Sequence, residues 1–129
     1  MIYILINLWP IAAATLLGLA IGLVWLRASG IRLPGWAGLA GAALAEFWLA
    51  AIMAGALILA PPEAGAWVMA VGSAVVIWIG FVVPVLCVTF MAHGIGPRQT
   101  VSAALHWLVV MVGQAALMQS IGLIPPPAA

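Results

Sequence analysis

"LGLAIGLVWLRASGIRLPGW", residues 17–36, changes character at Arg27. Before it stand leucine, glycine, alanine, isoleucine, valine and tryptophan; after it come a second arginine, a Ser-Gly pair and a Pro-Gly pair. Glycine and proline at that density break a helix, and Trp36 then opens another apolar run. The segment reads as the end of one apolar helix, a short basic connection and the start of a second. A soluble core helix and a membrane span both fit the apolar part, so length must decide.

A membrane span needs about 20 mostly apolar residues. Working outward from the quoted stretch, four such runs occur, approximately Ile2–Leu26, Ala37–Ala60, Ala66–Ala92 and Thr100–Ile124. Between them lie "RASGIRLPGW", "PPEAG" and "HGIGPRQ", and the chain closes on "PPPAA", which cannot continue a helix. Composition agrees. The 129 residues are 68% hydrophobic and 4% charged, with three arginines, two glutamates and neither lysine nor aspartate. A soluble domain carries roughly a quarter charged residues, so the natural solvent of this chain is a bilayer. Short connections make sequence neighbours antiparallel. The expected fold is therefore all-α: one polytopic domain over residues 1–129, a four-transmembrane-helix antiparallel bundle.

Several function classes drop out. A net charge of +1 supplies no basic patch for nucleic acid, and no phosphate-binding glycine loop is present. Cys87 is the single cysteine, so no intrachain disulfide can form. The start, "MIYILINLWP", lacks the basic region of a cleavable signal. Without aspartate no Ser-His-Asp site can be assembled, and the chain offers no catalytic site. The scattered methionines read as packing material rather than copper ligands.

Two prolines fall inside spans. Pro10 predicts a kink in the first, and Pro84 predicts a bend in the third, where Gly80 four residues back leaves room for the ring. Basic residues set the orientation. Arg27 and Arg32 occupy the first connection and Arg98 the third, while the second holds only Glu63. The positive-inside rule makes the arginine side cytoplasmic and leaves both termini outside, in a bacterial inner membrane.

Helices in lipid associate through small residues that let backbones approach. Gly18 and Gly22 offer such a face on the first span, Gly38 and Ala42 on the second, and Gly80 on the third. Polar residues are few. Glu46 sits in "LAEFWLA", and the fourth span carries Gln99, Ser102, His106 and Gln114 on one broad face. Counted from their expected span starts at 1.5 Å per residue, Glu46 and His106 lie at depths of about 13 and 10 Å. Their similar depth predicts a hydrogen-bonded intramembrane pair. Three roles compete for it: a structural tie, a proton or ion route, and contact with a neighbouring subunit or a bound cofactor. One histidine and one carboxylate are too few for a closed metal site.

Three stretches carry a resemblance: "LGLAIGLVW" (Leu17–Trp25), "WIGFVV" (Trp78–Val83) and "LHWLVVMVGQAALM" (Leu105–Met118). They resemble a bacterial four-helix membrane family known as domain-of-unknown-function family 1761. Here Trp25 is followed by Leu26, Arg27 and Ala28 rather than by the family's frequent Tyr-Ser-Pro. The resemblance implies a four-helix membrane fold and no established activity or site residue.

The expected function is a non-catalytic accessory or scaffold subunit of a larger membrane assembly. Its partners would be membrane lipids together with other membrane subunits or further copies of itself. The alternatives are a small oligomeric proton- or ion-coupled transporter using Glu46 and His106, and a protein binding a lipid, quinone or tetrapyrrole between helices. The residues single out no particular cofactor.

Overall fold

The computed structural model of the chain describes residues 2–61 and 63–127. Its elements are α1 (Ile2–Ile6), α2 (Leu8–Ala28), α3 (Trp36–Ile58), α4 (Ala66–Ile77), a π-helical turn (Trp78–Val82), α5 (Val83–Ala92) and α6 (Pro97–Ile121). No strand occurs among the described residues. Helix α2, helix α3, the continuous run Ala66–Ala92 and helix α6 are each long and apolar enough to cross a membrane. The protein is a multi-pass four-helix bundle. Pro125–Pro127 are non-helical as expected, and Ala128 and Ala129 of the predicted tail lie outside the described residues.

The two arginine-bearing connections stop their helices in the same way. Gly30 and Gly94 adopt φ of 67° and 68°, a left-handed conformation open to glycine but strained for other residues. Each glycine lets the following isoleucine reach back: Ile31 N–H bonds the Leu26 carbonyl at 3.0 Å, and Ile95 N–H bonds the Phe90 carbonyl at 2.8 Å. Gly30 and Gly94 themselves donate to Arg27 and Met91. This doubled return satisfies carbonyls that a helix end leaves open. Pro97 then starts α6 at a position where its missing N–H is harmless.

The first span departs from the expected kink at Pro10. The chain breaks three residues earlier, at Asn7, and Pro10 sits in the opening turn of α2. A proline there would crowd the carbonyl of Ile6 and leave it without a donor, so the break falls just ahead of the conflict. Asn7 fills the break with its side chain. Nδ2 donates to the carbonyls of Tyr3 at 2.9 Å and Ile124 at 2.8 Å, and Oδ1 accepts from Ile124 N–H at 2.8 Å. Both ends of the described chain therefore lie on one face of the bundle, as an even number of crossings requires.

In the third span the bend at Pro84 takes the form of a π-helical turn. Val83 N–H reaches five residues back to the Trp78 carbonyl. Widening the turn re-routes the bonds that Pro84 cannot make. Trp78 also ties this span to α6, its indole Nε1 donating to the Ala104 carbonyl at 2.7 Å.

Helix α6 touches all three other spans, while α2 and the third span do not meet. The bundle is thus a rhombus with α3 and α6 on its short diagonal. Ile11, Ala14, Ala50, Met53, Ala54, Met111, Ala115 and Met118 fill the centre and are fully buried. Alanine lets the helices close up and the flexible methionines occupy what remains, a packing role that matches the sequence reading of Met53, Met111 and Met118. The third span stays outside this core. Only Ala70 and Ala74 of it are buried, and none from Trp78 to Ala92.

Two of the small residues expected at helix contacts are not there. A Cβ built on Gly80 would meet nothing within 4 Å, and one on Gly38 would meet only Pro34 of the preceding connection. The third span is too peripheral to need Gly80 for packing, and Gly38 lies in an exposed first turn. Gly18, Gly22 and Ala42 do face neighbours, and all three lead to the same place.

Candidate functional site in the cleft between the first, second and fourth spans

Gly18 of α2 is where the three helices come closest around polar atoms. A Cβ on it would collide with Glu46 Oε2 and lie 2.8 Å from Gln114 Nε2. The space a side chain would fill is used by a hydrogen bond, Gln114 Nε2 donating to Glu46 Oε2 at 2.7 Å. Glu46 is 5% exposed and Gln114 fully buried. The carboxylate is thus held from two sides, by an amide on α6 and by backbone clearance on α2. This corrects the expected partner. Among the described residues Glu46 bonds Gln114 and makes no hydrogen bond to His106.

His106 nonetheless shares a cavity with Glu46. A cleft of about 250 Å³ is lined by Gly18, Gly22, Trp25, Ala42, Glu46, His106 and Trp107, with Leu19, Leu23, Leu26, Pro34, Leu39 and Ala45 completing its wall. Gly22 faces the imidazole: a Cβ there would lie 3.8 Å from His106 Cε1, in ordinary van der Waals contact. The ring is flanked by Trp25 and Trp107, each with its centroid 5.4 Å away. Its Nδ1 is buried without a hydrogen-bond partner among the described residues, and so is Gln114 Oε1. Buried polar atoms are ordinarily paired, so both mark unused hydrogen-bonding capacity.

A second, wider cavity of about 830 Å³ adjoins the first through Trp25, Leu26 and His106. Ser29, Arg98, Gln99 and Ser102 line it, which places its mouth on the arginine side of the bundle. The polar face expected on α6 therefore divides. Gln99 and Ser102 belong to this outer cavity, and Gln99 Oε1 also accepts from Gly96 N–H at 3.2 Å to cap the helix. Gln114 alone reaches Glu46, with His106 standing where the two cavities meet.

The sequence reading gave no role to Trp25 and Trp107 in this site. Trp25 lies three residues beyond Gly22, just under one helical turn, and Trp107 is adjacent to His106, so spacing along the helices was the available signal. No group of three or more His, Cys, Asp or Glu side chains comes together among the described residues. Comparison with protein-family models, curated proteins and solved structures found no match.

Proposed function

We propose that this small multi-pass membrane protein is a non-catalytic accessory subunit that holds a small ligand, apolar in body and polar at one end, in the Glu46–His106 cleft. The observation that carries this reading is the convergence of two polar side chains from different helices on one cavity with apolar walls. Ligand sites have this character: mostly apolar lining with a few placed polar groups. Access from the arginine side through the outer cavity, or sideways from the membrane, suits a molecule that partitions into lipid.

Filling the cleft tests the reading. Ala42 is half-buried in its wall. Ala42→Phe is expected to leave the bundle folded and to remove a small molecule that accompanies the gently solubilised wild-type protein in native mass spectrometry. A wild-type protein carrying no such molecule, or a variant that retains it, would sink the proposal.

Proton or ion conduction by one copy finds less support. Beyond Gln114, towards the face that holds the chain ends, the fully buried core is Ile11, Ala14, Ala50, Met53, Ala115 and Met118, and the buried polar side chains Thr15 and Asn7 are taken up by the carbonyls of Ile11 and Ile124. An intramembrane route needs polar groups along its length.

We also propose kinship with the unknown-function family 1761, since two of the resembling stretches, Leu17–Trp25 and Leu105–Met118, supply Gly18, Gly22, Trp25, His106 and Trp107 to the cleft. The arginines support an orientation in a bacterial inner membrane with their side cytoplasmic. Ser29→Cys in a Cys87→Ala background should then resist a membrane-impermeant maleimide in intact spheroplasts and react in inverted vesicles. The reverse pattern would invert the topology.

A further inference from the structure

We propose that the cleft selects a lipophilic organic cation, an alkyl- or arylammonium group whose charged end meets Glu46 and whose apolar body lies against Trp25 and Trp107. The inference rests on the ligand-binding reading above and adds the ligand's charge.

Three observations carry it. Glu46 is the one formally charged residue of the cleft; none of the three arginines lines it. Among the described residues its carboxylate has a single hydrogen-bond donor, the Gln114 amide, although a carboxylate has room for about four. An ionised group at this depth is costly unless paired, and among the described residues no cationic side chain lines the cleft to pair with it. The second observation is the wall. Trp25 and Trp107 line the cleft with Glu46 and offer aromatic surface to a ligand's apolar body. The third is His106, which lines the same cleft as Glu46. A ligand with a positive charge suits a cavity that holds a carboxylate and an imidazole, whereas an anion would face the carboxylate's lone pairs.

Size bounds the class. A volume of about 250 Å³ suits a single aromatic or short alkyl body with its ammonium end rather than a fused macrocycle.

The test is a charge series at constant shape. Phenylbutylammonium, phenylbutanol and pentylbenzene differ only in the terminal group, and each is measured by equilibrium dialysis against the full chain in zwitterionic nanodiscs and against empty discs. Phenylbutylammonium should bind the protein about tenfold or more tightly than phenylbutanol, a difference of one charge-assisted contact. Glu46→Gln should collapse that ratio towards one while leaving phenylbutanol binding in place. Equal binding of the ammonium and the alcohol, both lost in Ala42→Phe, would overturn the cation proposal and leave the cleft as a neutral site. Binding of none of the three above empty discs would remove the ligand-binding reading itself. The wild-type series decides between these results even where Glu46→Gln fails to fold.

Discussion

Gly18→Leu should give a chain that inserts in the membrane but unfolds far more readily in detergent than the wild type. The smallest added atom, a Cβ, already overlaps Glu46 Oε2 and sits 2.8 Å from Gln114 Nε2. Gln114 is fully buried and has nowhere to withdraw. Relief of the overlap requires Glu46 Oε2 to move, which strains or breaks its bond to Gln114. For Gly18→Ala the result is the loss of that bond with little backbone movement, about 1–2 kcal/mol. Leucine adds three more carbons that must push α2 away from α3 and α6, and overpacking of that kind costs about 1–3 kcal/mol further. Unfolding in mixed micelles of increasing SDS fraction reads both. Wild-type stability in Gly18→Leu would mean that the three helices are not packed around this glycine.

Removal of the amide gives the second large effect. Gln114→Leu leaves the Glu46 carboxylate without its hydrogen-bond donor, and an unsatisfied buried charged group costs upwards of about 2–3 kcal/mol. Glu46→Leu alone should cost less, since it leaves a neutral amide unpaired rather than a carboxylate. The double variant Glu46→Leu/Gln114→Leu should recover most of the loss, because removal of both partners leaves nothing unsatisfied. The same unfolding measurement on the four proteins closes the cycle. Additive losses in the double variant would show that the two side chains are not coupled.

The helical class and the number of spans were legible because they depend on long averages. A run of about 20 apolar residues between Gly-Pro connections has no other solvent than lipid. The second and fourth spans moved at their boundaries by one to three residues where caps decide, as at Pro97 and Gly122, while Ala66–Ala92 kept its expected bounds. The partner of Glu46 was misread for a geometric reason. Depth counted from a helix start assumes that helices begin level with one another. Glu46 lies ten residues into α3 and Gln114 seventeen into α6, a difference of about 10 Å by rise alone. Their bond of 2.7 Å shows that α6 begins further out than α3, by an offset that no local pattern encodes. Gly80 and Gly38 were misread because spacing cannot tell a face turned to protein from one turned to lipid, when both are apolar. Gly18 was correctly placed at a contact, but its neighbours became known only when three helices were set side by side.

The bond between Glu46 and Gln114 joins residues 68 positions apart in the chain. During synthesis, then, the acid enters the membrane well before the amide exists. At roughly 5–20 residues per second the interval is several seconds. Throughout that time Glu46 must be sheltered by the translocation machinery, by water at the bilayer surface or by a proton. The arrival of the fourth span ends this exposure, so a helix made two spans later is the one that allows the second to settle at its final depth.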